Sequence, residues 1–253
     1  MYNASISTNN LTIGYENKVV QRDISFSLNE GEMICMLGPN GCGKSTLLRT
    51  LAGLQPPLSG TFRIQNTEAV IQNAIALVLT ERISVENTTV HDVVAMGRYP
   101  YTSFLGGLSD LDEQIINEAL EVVGLVSSPN SLTSSSSHSF ASTPFSSHSD
   151  GEKQRVLIAK AIAQQTPIIL LDEPTAHLDL PNRIKILQLL RRLAHEQGKT
   201  ILISTHELEL AIQLSDRILL LSEHGVVLDT ADQLRQNDAF TQAFGMDIFH
   251  SIK

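Results

Sequence analysis

A glycine-rich segment carries the clearest chemical signal in the chain. Residues 38–46 read GPNGCGKST and match G-x-x-x-x-G-K-[ST] from Gly38 to Ser45. Glycines let successive backbone N–H groups point at one anion, and the positive end of a following helix adds to the attraction. The pattern predicts a P-loop that binds the phosphates of ATP, with Lys44 reaching the β- and γ-phosphates and Ser45 ligating Mg²⁺. The candidate nucleotide-binding residues here are Gly38, Asn40, Gly41, Cys42, Gly43, Lys44, Ser45 and Thr46.

Two adjacent carboxylates follow a later apolar run. Residues 168–179 read IILLDEPTAHLD, so Asp172 and Glu173 stand at the carboxyl end of a predicted strand, where open parallel sheets place their chemistry. By itself, such a pair is usually a solvated strand end. With a P-loop upstream, we expect Asp172 to bind Mg²⁺ and Glu173 to orient the water that attacks the γ-phosphate.

A histidine follows the next predicted strand. His206 lies in ISTHELE, just after the apolar run of KTILISTHE at 199–207. Taken alone it would be unremarkable. At the end of a neighbouring core strand, however, its imidazole is placed to contact the γ-phosphate and to hold the water and Glu173 in register.

The elements that must position these groups form an α/β core. MICMLG at 33–38, PIILLDEP at 167–174 and KTILISTHE predict buried parallel strands, and KSTLLRTLAGL and RIKILQLLRRLAHEQG predict helices packed on them. Ahead of this core, alternating stretches up to a turn at Glu30 and Gly31 predict short antiparallel strands. The expected fold class is a P-loop NTPase (RecA-like) parallel-sheet core with an N-terminal antiparallel β-subdomain and an inserted α-helical subdomain.

The insertion has helical spacing and one unusual segment. HDVVAMGRY, DEQIINEALEVVGL and DGEKQRVLIAKAIAQQ have apolar residues at helical spacing, so we expect a helical subdomain over about 81–165. The nucleotide-binding core takes about 1–80 and 166–253, and the whole of 1–253 is one domain. The serine-rich residues 127–149 show neither helical nor strand periodicity. They are interpreted as a flexible linker or disordered insertion, with a regulatory role as the alternative.

Composition excludes several classes of protein. Lys and Arg number 18 against 27 Asp and Glu, and the net charge of −9 argues against a nucleic-acid partner. No stretch approaches the roughly 18 apolar residues of a membrane span, and the N-terminus lacks the features of a signal peptide. We therefore expect a cytosolic protein. Cys35 and Cys42 lack both a disulfide framework and metal-ligand spacing, and both are predicted to be reduced thiols.

Together these motifs resemble the nucleotide-binding subunits of ABC transporters over nearly the whole chain. By that resemblance Asp172 and Glu173 form the Walker B pair, His206 is the switch histidine, and Asp179 in AHLD lies in the D-loop. Tyr15 in LTIGY matches the aromatic residue that stacks on adenine, although ordinary strand packing is an alternative. The resemblance also implies a head-to-tail dimer with two ATP molecules at its interface.

Two motifs depart from the family pattern. HSDGE at 148–152 stands where the signature LSGGQ is usual; Ser149 and Gly151 match it, and we expect them to contact ATP bound to the opposite subunit. The acidic side chain of Asp150 would weaken ATP-driven closure unless it points away from the phosphate. At the Q-loop, the strand IALVL continues into Thr80 and Glu81 in place of glutamine, and either oxygen-bearing side chain is a candidate Mg²⁺ ligand.

The region at 89–106, with Arg98, Tyr99 and Pro100, resembles the coupling region of ATPases that serve iron-siderophore, haem and cobalamin importers. A helix ended by a proline turn explains the same residues without a substrate meaning. The resemblance implies transmembrane permease subunits, an indirect substrate-binding protein, and a peripheral place on the cytoplasmic face of the cell membrane. Alternatives are an exporter ATPase, a non-hydrolysing regulatory cassette, or an ABC protein of translation or DNA repair.

Overall fold

The computed structural model describes residues 4–16, 18–64, 74–79, 87–102, 107–126, 140–176 and 178–245. The chain divides into two compact units. The first comprises the described parts of Met1–Leu79, Pro167–Pro174 and Leu187–Lys253, and the second comprises those of Thr80–Thr166 and Thr175–Ile186. Among the described residues, no helix has the length and apolar character needed to cross a membrane.

An antiparallel sheet opens the first unit. Its first strand is long, because register shifts let one continuous strand pair with β2, β3 and β5 in turn. The sequence predicted short strands here and did not predict β5; the turn at Glu30 and Gly31 is confirmed. The strands are β1 (Ala4–Tyr15), β2 (Lys18–Ile24), β3 (Ser27–Asn29) and β5 (Ser59–Ile64).

The second sheet of this unit is mostly parallel, and its described strands lie in the order β10-β9-β4-β8-β7-β6. Every residue of β4, β7 and β8 is buried, as expected for strands covered on both faces. Among the described strands of this sheet, only β10 runs antiparallel, against β9. The strands are β4 (Met33–Leu37), β6 (Ile75–Val78), β7 (Ile168–Asp172), β8 (Thr200–Ser204), β9 (Arg217–Ser222) and β10 (Gly225–Asp229).

The core of the first unit lies between these sheets and helix α1 (Lys44–Leu51). Leu47, Leu48 and Leu51 of α1 are fully buried in the same cluster as Ile34, Met36 and residues of both sheets. Removing such aliphatic surface from water is the main stabilising contribution. Further helices are α6 (Leu208–Leu214), α7 (Ala231–Gln236), α8 (Ala239–Phe244) and, from Leu187 onward, α5 (Leu180–Gln197).

The second unit is helical. Helices α2 (Val90–Ala95), α3 (Asp110–Val122) and α4 (Asp150–Ala163) pack on one another. Helix α2 continues as a 3₁₀ turn, Met96–Tyr101, with Pro100 inside it. Gly97 lets this turn approach α4 closely, because a Cβ there would collide with the carbonyl oxygen of Lys160.

The serine-rich segment is only partly described. Residues 127–139 lie outside the described residues, but 140–149 are folded, so the flexible interpretation is wrong for them. Phe145 is buried within a short 3₁₀ turn (Phe145–Ser147), and Pro144 forms a bridge with Thr89. The backbone N–H of Phe145 donates to the carbonyl oxygen of Thr88. One buried aromatic ring and these backbone bonds are enough to fix the end of a serine-rich stretch.

Candidate nucleotide site

The glycine-rich loop lies between β4 and α1, as predicted. Lys44 is 7% exposed, and its Nζ donates to the carbonyl oxygens of Gly38 (2.8 Å) and Pro39 (3.1 Å). Gly38 and Gly43 have positive φ angles of 152° and 105°. A Cβ at Gly38 would collide with the carbonyl oxygen of Leu221, and one at Gly43 would lie 2.7 Å from Cγ1 of Val20. Both positions therefore require glycine.

A glutamine that sequence reasoning missed anchors this loop. Gln21 is a buried residue of β2, and its Nε2 donates to the carbonyl oxygens of Cys42 (3.2 Å) and Ser222 (2.7 Å). The loop is thereby tied to β2 and to the end of β9. Alternation counted back from Ile24 places Gln21 on the opposite face of β2. A register shift between the Leu11–Ile24 and Ile13–Gln21 pairs turns it inward, so the sequence pattern carried no signal for this residue.

The outer part of the loop is accessible. Asn40, Gly41 and Ser45 are exposed, whereas Thr46 is buried in the first turn of α1. The hydroxyl of Tyr15 lies 3.4 Å from Oγ1 of Thr46, and Tyr15 is 55% exposed. Tyr15 is therefore not packed into the core, and part of its ring surface is accessible. Cys35 and Cys42 are free thiols; burial raises the pKa of Cys42, and it raises the pKa of Cys35 to about 12.

Asp172 and Glu173 stand where the sequence predicted, at the end of β7. Asp172 is 8% exposed, and its Oδ1 accepts from the hydroxyl of Ser204 at 2.5 Å. Ser204 is the last residue of the neighbouring strand β8 and pairs with Asp172 across the parallel ladder. Glu173 has a φ angle of 47°, and its N–H lies 2.9 Å from Oγ and 3.1 Å from the carbonyl oxygen of Ser204.

His206 contacts Glu173 directly. Its Nε2 lies 2.6 Å from Oε1 of Glu173, and the two side chains are 46% and 33% exposed. The backbone N–H of Thr205 donates to the carbonyl oxygen of Met36, at the end of the strand that leads into the glycine loop. The strand order β4-β8-β7 therefore brings the loop, the histidine and the two carboxylates to one edge of the sheet.

The second unit holds the remaining predicted residues. Ser149 caps α4, and its N–H (3.0 Å) and hydroxyl (2.7 Å) both donate to Oε2 of Glu152. These hydrogen bonds lower the pKa of Glu152. Gly151 follows in the first turn, and Asp179 accepts from the backbone N–H of Asn182 at the start of α5. Asp150 is exposed at the first position of α4.

The predicted Q-loop replacements, Thr80 and Glu81, lie outside the described residues. For Mg²⁺, the candidate ligands are the exposed hydroxyl of Ser45 and the carboxylate of Asp172. Both are hard oxygen donors of the kind that Mg²⁺ prefers, so the donor set fits the ion.

Comparisons with known proteins agree with this geometry. The family model described as "ABC transporter" matches residues 21–176. The iron(3+)-hydroxamate import ATP-binding protein FhuC of Bacillus subtilis is 37% identical over 251 residues, 96% of this chain and 88% of that protein. These two matches cover most of the chain.

Two solved structures have the same fold. One is a chain of an ABC transporter assigned to the metal-chelate type, in an inward-facing conformation; it has a TM-score of 0.82 and 32% identity, over 96% of this chain and 90% of that one. The other is a dimeric, post-hydrolysis ATP-binding cassette, MJ0796, bound to ADP and phosphate. It has a TM-score of 0.72 and 26% identity, over 89% and 98% of the two chains. The chain belongs to the ABC transporter family and is one of its ATP-hydrolysing subunits.

Proposed function

We propose that residues 1–253 work as a single ATPase domain that energises import of iron-siderophore, haem or cobalamin type substrates through a membrane permease. The observation that carries the catalytic part is the 2.6 Å contact between Glu173 and His206 at the sheet edge where the glycine loop begins. The import direction rests on the likeness to FhuC and to the metal-chelate type transporter.

Phosphate binding is the task of the loop. The exposed backbone of Asn40 and Gly41 and the first turn of α1 supply N–H donors, and the helix dipole favours an anion at this end. Lys44 holds two loop carbonyl oxygens, which keeps its ammonium group beside the loop. On ATP binding, the ammonium forms charge-assisted bonds to the β- and γ-phosphates. Tyr15, exposed above Thr46, stacks on adenine.

Water activation falls to Glu173. Its carboxylate accepts a hydrogen bond from a water in line with the γ-phosphorus, and the imidazole of His206 keeps the carboxylate in that orientation. Ser45 and Asp172 would hold Mg²⁺, which would neutralise developing charge on the phosphates. Both side chains of the Glu173–His206 pair keep exposed surface, as groups that must meet a ligand require.

Assembly follows from the motifs of the second unit. We propose a homodimer in which Ser149 and Gly151, at the N-terminus of α4, contact the γ-phosphate of ATP bound to the other copy, with Asp179 in the D-loop beside it. The MJ0796 cassette, which is similar to this chain, is dimeric. We further propose that the homodimer binds permease subunits and lies at the cytoplasmic face of the inner membrane as a peripheral protein. A substrate-binding protein acts through those permease subunits.

The ATPase part is tested by measuring Mg²⁺-dependent hydrolysis by the purified chain against its own concentration. We expect the rate per chain to rise with concentration, since each site needs a second copy. A rate per chain independent of concentration would contradict the dimer.

The import part is tested by uptake of ⁵⁵Fe-siderophore, of haem and of labelled cobalamin by cells that lack this chain. We expect the wild-type chain to restore uptake of one of these substrates and Glu173→Gln to leave the defect. Unchanged uptake of all three in the deficient cells would contradict import and favour the exporter alternative.

A further inference from the structure

We propose that Ser204 is a positioning residue for hydrolysis, whose buried hydroxyl holds both the carboxylate of Asp172 and the backbone of Glu173. This inference rests on the proposed function, because it takes Asp172 as a metal ligand and Glu173 as the residue that orients water. Ser204 itself is fully buried, with 0% exposure, so it acts through its two neighbours and not by touching ATP.

The direction of each hydrogen bond at Ser204 is fixed by chemistry. The backbone N–H of Glu173, 2.9 Å away, can only donate, so Oγ of Ser204 accepts there. An ionised carboxylate can only accept, so the single hydroxyl proton goes to Oδ1 of Asp172 at 2.5 Å. One hydroxyl therefore connects the two acidic residues in one defined orientation.

For Asp172, the consequence is a fixed carboxylate plane. A hydroxyl-to-carboxylate distance of 2.5 Å is typical of a short, charge-assisted bond, which resists rotation of the carboxylate. Partners that orient a metal ligand in this way tune its affinity for the metal, often by about ten- to a hundredfold. Ser204 thus holds the Asp172 carboxylate in a fixed orientation in which it would bind Mg²⁺.

For Glu173, the consequence is a fixed backbone. A φ angle of 47° is uncommon for a residue other than glycine and persists only where the surroundings enforce it. Both acceptor atoms of Ser204, Oγ and the carbonyl oxygen, share the N–H of Glu173. This pair of bonds holds the conformation in which the Glu173 carboxylate meets His206.

Packing alone does not account for a hydroxyl here. The three preceding residues of β8 are Ile201, Leu202 and Ile203, all fully buried and apolar. A buried hydroxyl destabilises the fold unless it is hydrogen-bonded. At Ser204, both hydrogen bonds of the hydroxyl go to the acidic pair, Asp172 and Glu173. The polar residue thus stands where the strand reaches the site.

The test compares Ser204→Ala with Thr200→Val, a matched change at the other end of β8. Thr200 is also buried, and its hydroxyl donates to the carbonyl oxygen of Asn29, away from the acidic pair. For Ser204→Ala we expect kcat to fall by about ten- to a hundredfold, with the KM for ATP changed by less than about twofold. We expect the parent's kcat for Thr200→Val.

Two further readouts separate positioning from loss of stability. Mn²⁺ binding to the protein–ADP complex, followed by electron paramagnetic resonance, should weaken about tenfold or more in Ser204→Ala and stay unchanged in Thr200→Val. Hydrogen exchange of the Glu173 amide should be faster in Ser204→Ala only.

Parent-like kcat and Mn²⁺ affinity in folded Ser204→Ala would overturn the inference. Equal losses in Ser204→Ala and Thr200→Val would overturn it as well, because they would reflect general damage to the strand. Glu173→Gln separates this failure from failure of the proposed function. If Glu173→Gln is inactive while Ser204→Ala is fully active, only the role of Ser204 is wrong; if Glu173→Gln turns over like the parent, the proposed catalytic site is wrong.

Discussion

The strand-end cluster of the first unit and the arginine cluster of the second use similar groups in opposite ways. At the strand ends, Glu173 and His206 are bonded to each other yet remain 33% and 46% exposed. In the helical unit, the side chains of Arg98 and Asp112 form a 2.8 Å ion pair and are only 5% and 8% exposed. The first pair is open to a ligand, whereas the second is enclosed by protein.

The guanidinium of Arg98 has several further protein partners besides Asp112. Nη1 of Arg98 donates to the carbonyl oxygen of Ala163 at the end of α4 and to Oε1 of Gln165, and the guanidinium lies 4.1 Å from the ring centroid of Tyr101. The cluster thus joins the 3₁₀ turn, α3 and the end of α4. Arg98 and Asp112, enclosed in this way, connect elements of the helical unit, whereas the exposed surface of Glu173 and His206 leaves both side chains accessible to a ligand.

We expect the largest effect on kcat, from a change in the exposed pair of Glu173 and His206. His206→Ala removes the partner of the Glu173 carboxylate, and we expect kcat to fall about a hundredfold while ATP affinity stays near the parent's value. Steady-state hydrolysis and equilibrium nucleotide binding measure the two quantities. A variant with normal kcat would remove His206 from the mechanism.

Arg98→Met should act on stability instead. It leaves the Asp112 carboxylate without its cation, and removing one partner of such a pair lowers the free energy of unfolding. Urea unfolding measures this loss, and the ATP affinity of the folded protein should not change. An unchanged free energy of unfolding would mean that the pair does not stabilise the helical unit.

Gln21→Ala removes the side chain that anchors the glycine-rich loop. It should affect both stability and ATP affinity, whereas each of the two preceding variants affects mainly one property. The carbonyl oxygens of Cys42, part-buried, and of Ser222, buried, lose their donor, at a cost of roughly 1–3 kcal/mol. Because one belongs to the phosphate loop, ATP affinity should fall as well. Gln114→Ala, which removes an exposed side-chain bond to Glu118 on α3, is the control and should change neither quantity. Unchanged ATP affinity in Gln21→Ala would show that the anchor does not shape the loop.

Acid should weaken the helical unit through Asp112. Hydrogen bonds from the side chain and backbone of Ser109, and then the bond from Arg98, lower the pKa of Asp112 to about 2. A carboxyl with a lowered folded-state pKa stabilises the protein fully above its unfolded pKa of about 3.9, and this contribution is lost as the pH falls toward 2. Urea unfolding between pH 5 and about 2 should show a steeper loss of stability in the parent than in Asp112→Asn. Equal slopes would contradict the assignment.

The smallest expected effect on stability comes from two helix-capping residues, Thr89 and Ser149. Thr89 and Ser149 both cap helices through a reciprocal bond with an acidic residue three positions on. Either change to Ala should cost about 1 kcal/mol of stability. Only Ser149→Ala should also weaken ATP-driven dimerisation, measured by sedimentation. Equal dimerisation in both variants would remove Ser149 from the interface.

The candidate site residues that could be predicted from the sequence lie in short local motifs. The loop at Gly38–Ser45, the strand-end pair and His206 each follow an apolar run, and parallel strands deliver such positions to one edge. Gln21 and Ser204 were missed because their roles depend on which carbonyl oxygen or carboxylate a neighbouring strand brings opposite them. That pairing arises from register between distant segments, which one strand's pattern does not contain.

Differences in the fold have similar causes. The stretch ASISTNNLTIGY, which the sequence predicted as strand, forms the single strand β1; the sequence did not predict the register shifts by which it meets several partners. The serine-rich end, 140–149, is ordered by the burial of Phe145 and by backbone bonds that composition does not reveal.

Glu173 is proposed to orient the attacking water, while the rest of the site binds ATP without it. The most direct measurement is single-turnover hydrolysis of ATP by Glu173→Gln, with ATP binding and dimerisation followed in the same samples. We predict that the variant binds ATP, accumulates as an ATP-bound dimer, and hydrolyses at least about a hundredfold more slowly than the parent. Hydrolysis at the parent's rate would contradict the account.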